Sequence, residues 1–273
     1  MPGGLTIMGE KNMLGQRTRS DQAAVAAEWS LDATNTASPT GAHKSPRAVP
    51  AGTLVVWMLG LLLFVDVLLL SANVAYRIGD GQDSGFWGTF AATAWDGDTD
   101  GSHIEIWGHI QLLLAAGLLV MLARQHKQLV FTAWAWLMFV VVVDDFFQVH
   151  ESLGEVMAGL FDADAVAGLA TKDLGELLTW GVLALLLVPP LVLGFFKASS
   201  WARRRTVVLG AVLALLVVFA IGLDMANILL HDHISGPATT VVTLAETAGE
   251  LVPMTLFLAY TVKVAVLPSR RSA

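Results

Sequence analysis

Imidazole and carboxylate side chains recur at helical spacing in this chain, inside stretches otherwise built from Leu, Val, Ala and Phe. Glu105 and His109 are four residues apart and share one helix face. The run Val143-Asp144-Asp145-Phe146-Phe147-Gln148-Val149-His150-Glu151 closes an apolar stretch that begins at Leu129. Asp224, Asn227 and His231 stand at i, i+3 and i+7, and Thr243, Glu246 and Glu250 repeat that spacing. Asp66 and Asn73 interrupt a Leu-rich run, and His103 opens the segment that carries Glu105.

Ionisable groups at membrane depth are costly and mark functional positions by default. Several carboxylates in a low dielectric must share protons, pair with protonated histidine or hold a cation. Imidazole and carboxylate donors together suit Zn, Fe, Mn or Cu(II), and a metal with bound water gives a nucleophile or a redox centre. On this reading His103, Glu105, His109, His150, Asp224, Asn227 and His231 are candidate ligands of a transition metal ion. Asp144, Glu151, Glu246 and Glu250 are candidate catalytic acids or bases. Each has a plainer alternative. A histidine at a span end is often interfacial, Asp173 and Glu176 suit a helix start, and Asn or Thr in a span often joins helices.

The elements that must position these groups follow from composition. The chain has 273 residues, 55% hydrophobic and 14% charged, with mean hydropathy +0.64. Soluble domains carry about 25% charged residues. The expected fold is therefore all-α: a polytopic six-helix transmembrane bundle, with the lipid bilayer as its obligatory partner. Six apolar segments are roughly long enough to span, at 52–76, 103–124, 128–151, 173–196, 205–231 and 239–266. Residues 1–50 are polar and read as a disordered tail, residues 51–267 as the six-span domain, and residues 268–273 as a short second tail. Pro189-Pro190 and Pro253 are expected to break or kink the fourth and sixth spans. The connection 152–172 has room for a short interfacial helix.

Lys44, Arg47, Arg124, Lys127, Lys197, Arg203, Arg204, Arg205 and Lys263 fall on alternate connections and the tails, which predicts both termini in the cytoplasm. The expected location is a bacterial inner membrane. Spans one, three and five then end outside, and two, four and six begin there. Every acid–histidine cluster falls toward that outer side, with the deepest members about 10 to 18 Å from it at 1.5 Å per residue. A polar cavity open to the outside is expected. If the third span is one helix, 100° per residue places Asp144, Gln148, Glu151 and Glu155 on a single stripe, with Asp145 and His150 to either side.

The chain has no cysteine, which excludes disulfides, Fe–S clusters and thiolate metal sites. It has neither Glu-x-x-His nor HExxH, no P-loop and no dinucleotide fingerprint. Nothing suggests a nucleic-acid partner. The Asp144-Asp145-x4-His150-Glu151 ending, with Glu246 and Glu250 in the last span, resembles a pattern in uncharacterised bacterial multipass membrane proteins. Asp98-Thr99-Asp100 before Ser102-His103-Ile104, and Asn227-x3-His231, are similar to metal-ligand regions of the C subunit of copper membrane monooxygenases. That resemblance implies copper held by Asp, Asn and His within helices, and other membrane subunits as partners. The spacing between the two regions differs, and Asp144-Asp145 and Glu250 have no counterpart there. Ceramidases and adiponectin receptors also pair intramembrane His with Asp around zinc, but their His-x3-His in the last span is missing here.

Three functions fit these residues. The first is a metal-dependent membrane enzyme, oxidoreductase or hydrolase, acting on a membrane or periplasmic substrate. The second is a proton or divalent-cation transporter, which needs polar residues on through to the cytoplasm. The third is a structural or assembly subunit of a larger membrane complex.

Overall fold

Backbone polar groups in a bilayer must be satisfied within their own segment, so long apolar runs fold as helices. The computed structural model describes residues 50–79, 85–159, 165–166, 169–230 and 237–267. The tails at 1–49 and 268–273, and His231, lie outside the described residues. Helices α1 (Ala51–Gly79), α2 (His103–His126) and α3 (Leu129–Phe146) come first, then the shorter α4 (Val149–Ala158). Next come α5 (Thr171–Lys197), α6 (Ser200–Val217), a π-helical turn Val218–Leu223 that runs into α7 (Asp224–Leu230), and α8 (Pro237–Val266). Six helical segments are long and apolar enough to cross a membrane: α1, α2, α3, α5, α6 continued through α7, and α8. Among the described residues the only strand pairing is a two-residue antiparallel ladder, Ala165–Val166 with Leu169–Ala170.

Local chemistry sets the ends. Ser102 caps α2 by accepting from the Glu105 amide at 3.3 Å, and Ser199 caps α6 by accepting from the Ala202 amide at 3.3 Å. Lys127 closes α2 in the left-handed region, at φ 53°. Gln128 Oε1 accepts from the Ser199 amide at 2.9 Å, joining the α2–α3 and α5–α6 turns.

Two expectations are corrected. The third span is not a helix over 128–151. Phe147 leaves helical geometry and Gln148 takes φ 50°, so α3 stops at Phe146 and α4 starts in a new direction. The expected Asp144–Gln148–Glu151–Glu155 stripe is lost with that break. Nor does Pro189-Pro190 break the fourth span: α5 is unbroken through it, and α8 runs on through Pro253. The irregular turn lies instead at Val218–Leu223, in a segment without proline.

The apolar core sits at the bundle end away from the candidate clusters. Leu119 and Leu122 of α2, Phe131, Trp134 and Met138 of α3, and Phe257 of α8 are all buried. Large apolar residues also cover the outer faces; Leu185 is 76% exposed and Trp57 74%. Such a surface is untenable in water and ordinary in lipid.

Candidate functional site

Between the core and the acidic end lies a closed hydrogen-bond knot around Asp66, which is 1% exposed. Its carboxylate accepts from Trp107 Nε1 at 2.9 Å, Gln111 Nε2 at 3.3 Å and Thr255 Oγ1 at 2.6 Å. Helices α1, α2 and α8 are thereby joined at one depth.

Above this knot the ends of the helices surround a cavity of about 270 Å³. Its lining carries eight carboxylates and one imidazole, and neither Lys nor Arg. Asp98 and Asp100 come from the α1–α2 connection, Glu105 from α2, Asp145 from α3, Glu176 from α5, Asp224 from α7, and Glu246 and Glu250 from α8. His150 of α4 supplies the imidazole, and Trp180, Leu251 and Met254 the apolar wall.

One wall is organised for coordination. His109 is 5% exposed; its Nε2 lies 2.7 Å from Asp145 Oδ2, and its Nδ1 lies 3.8 Å from Glu105 Oε1. Nδ1 is buried without a hydrogen-bond partner. Glu105 is held from behind, since Gly101 N–H donates to its Oε2 at 2.6 Å. Gly101 can do so because it sits at φ 73°, a turn conformation costly for other residues. Glu105, His109 and Asp145 each offer a donor atom within 4.8 Å of the other two. A tetrahedral ion with bonds of 2.0–2.2 Å needs donors about 3.3 Å apart. Small side-chain movements suffice, so these residues fit a metal ion.

A second pair lies across the α3–α4 break. His150 Nδ1 is 3.1 Å from Asp144 Oδ2, and Asp144 is 3% exposed with its Oδ1 unpartnered. Burial pulls His150 down, but the hydrogen bond and charge of Asp144, with Asp145 and Glu151 nearby, outweigh it and raise its pKa. At the rim, burial pushes Asp98 up, and nearby Asp96 and Asp100 add to this against the opposing charge of Arg77. Arg77 lies 2.6 Å from Asp96 and 3.8 Å from Asp98 Oδ2, so it pairs with both.

The other expected site residues are distributed as follows. Asp224, Glu246 and Glu250 line the cavity, and Asn227 is close enough to hydrogen-bond Glu246. Glu151 faces outward to Lys172 at 3.5 Å. His103 is exposed and packs edge-on to Trp95, with centroids 4.5 Å apart. Asp145 and Glu176 also line the cavity, although neither is among the expected site residues and Glu176 suits a helix start. Sequence reading placed Asp98 and Asp100 only through a resemblance.

Fold and site together define an all-α polytopic membrane protein with an acidic, histidine-bearing cavity at one end of its bundle. The chain belongs to the family described as Domain of unknown function (DUF8692), which matches residues 61–264 and so includes the whole cavity. No curated protein and no solved structure matches it.

Proposed function

We propose that this protein binds a divalent transition metal ion on Glu105, His109 and Asp145 and acts as a metal-dependent membrane enzyme. The observation that carries this reading is the buried imidazole between two carboxylates, with its Nδ1 unpartnered. Three protein ligands with a position left open are the catalytic rather than the structural pattern. A nitrogen and two oxygens suit Zn, Mn or Fe, and copper remains the expectation of the monooxygenase resemblance. When bound, the ion supplies Lewis acidity and a water whose pKa falls to about 7, for hydrolytic or redox chemistry.

The rest of the lining serves that site. Glu250 and Glu246 stand in the same cavity as proton acceptors or donors. His150, anchored by Asp144, offers its other ring nitrogen as a proton carrier. Apart from Arg77 and Lys172, the Lys and Arg of the described residues gather at the opposite end of the bundle, so the positive-inside rule favours cytoplasmic termini and a cavity on the outer face of a bacterial inner membrane.

Transport is less well supported. Inward of the cavity the polar atoms of Asp66, Gln111 and Thr255 bond one another, and beyond them Leu119, Phe131, Trp134 and Met138 fill the interior. Metal analysis of purified protein tests the proposal. Stoichiometric metal in the parent and its loss in His109→Ala and Asp145→Ala are expected. Equal, near-zero metal in all three would remove the reading.

A further inference from the structure

On the other side of His109 from the acidic cavity lies a second one, of about 310 Å³. Ile106, Ile110 and Leu113 of α2 form one wall, and Phe139, Val143 and Phe146 of α3 the other. His109 is the one polar residue in the lining. Neighbouring residues on each helix thus serve opposite spaces. Glu105 and Asp145 line the acidic cavity, while Ile106 and Phe146 line the apolar groove. His109 is the partition, touching Asp145 on one side and the groove on the other.

The groove opens on the lipid-facing surface, where Leu113 is 44% exposed, Phe139 45% and Phe146 59%. Its occupant therefore comes from bilayer hydrocarbon. The walls are Ile, Leu, Val and Phe and lack the Gly, Ala or Ser that favour close approach of a partner helix. Ile106 to Leu113 spans about 10 Å at 1.5 Å per residue, the reach of an alkyl segment. The volume matches the lower end of small-molecule sites, about 300–1,000 Å³. A polar head beyond His109 would meet a lining of eight carboxylates, of which Asp98 and Glu176 already pair with Arg77 and Lys172 and the other six have no Lys or Arg partner among the described residues. These repel phosphate and carboxylate heads and attract an ammonium.

We infer that the groove takes the alkyl chain of an amine-bearing bilayer amphiphile, whose head reaches the acidic cavity beside Glu105, His109 and Asp145. This names the substrate class of the proposed enzyme and rests on that reading.

The test uses the full chain in phosphatidylcholine vesicles. A long-chain alkylamine with a diazirine in its chain is crosslinked, and a fatty acid of the same length is the counter-probe. Labelled residues are mapped by mass spectrometry, with Leu185 as the lipid-facing reference. Expected is labelling within Ile106–Leu113 that saturates, is competed by unlabelled alkylamine, and is several-fold weaker with the fatty acid. Leu113→Trp abolishes it and Leu185→Trp does not. The competition arm needs no variant, so a poorly folded Leu113→Trp leaves the test intact. Unsaturable labelling equal to that at Leu185, or equal labelling by the two probes, overturns the inference. Metal content of the same samples separates the two claims. Metal-loaded protein without saturable labelling sinks the groove assignment alone, and saturable labelling of metal-free protein sinks the metal reading.

Discussion

His109 and Asp66 are both buried polar residues between helices, yet their surroundings differ in kind. Every polar contact of the Asp66 carboxylate is answered by a donor on α2 or α8, whereas His109 keeps one nitrogen unpaired between carboxylates. The first arrangement is a structural fastening, and the second is the one on which the proposed metal site rests. Asp66→Ala leaves Trp107 Nε1 and Gln111 Nε2 without their acceptor, at about 1–3 kcal/mol for each stranded group, while Thr255 Oγ1 still has Gln111 Oε1 at 2.8 Å. A lowered thermal midpoint in detergent is expected, with Asp66→Asn closer to the parent. His109→Ala is expected to act on metal affinity instead. Loss of an outer-shell partner costs 10–100-fold, so loss of a ligand should cost more than about 100-fold. His103→Ala, which removes an exposed ring packed on Trp95, is expected to bind metal as the parent does; titration with competing chelators reads both. The spacing of Glu105 and His109 shows in the sequence, because one continuous helix carries both. Asp145 does not, because its partner lies on another helix.

At the scale of elements, the α3–α4 break decides the site. No Gly or Pro marks it; Gln148 alone takes the left-handed conformation, and its side chain donates to Asp100. Asp145 reaches His109 from within α3, and the break brings His150 back to 3.1 Å from Asp144. Because His150 is raised in the folded protein, its pairing stabilises fully below the ordinary value near 6.5. That contribution is lost as pH rises through the raised value. Hydrogen-exchange protection over Val149–Ala158, taken relative to the intrinsic base-catalysed rate, is therefore expected to fall from mildly acidic to mildly alkaline pH in the parent. His150→Asn should flatten this dependence. Helix α4 packs on α5 where two glycines meet: a Cβ on Gly175 would overlap the Gly154 carbonyl oxygen, and one on Gly154 would lie 2.6 Å from Glu176 Cγ. Gly175→Ala should force the pair apart at about 1–3 kcal/mol, the usual cost of overpacking, read as a lower thermal midpoint. The spans were legible because about 20 apolar residues permit few alternatives in a bilayer. Pro189-Pro190 does not end α5, because flanking helices and local adjustment can absorb a missing amide in a membrane helix.

For the whole molecule, the governing feature is polarity along the bundle axis. Apolar packing of α2, α3 and α8 fills one end, basic residues edge it, and the carboxylates gather at the other. That segregation was readable from the chain, since alternating helix directions turn each cluster's position into a side of the membrane. The groove beside His109 was not, because lipid-facing and groove-facing Ile and Phe look alike in sequence. Tags at either terminus are expected to be shielded in intact cells and reached after permeabilisation; labelling of both in intact cells would reverse the orientation. The most direct measurement is X-ray absorption at the metal edge of protein loaded with Zn or Mn. It should show one imidazole with oxygen donors at about 2.0–2.2 Å, the imidazole signal lost in His109→Ala and kept in His103→Ala. An oxygen-only shell that His109→Ala leaves unchanged would contradict the account.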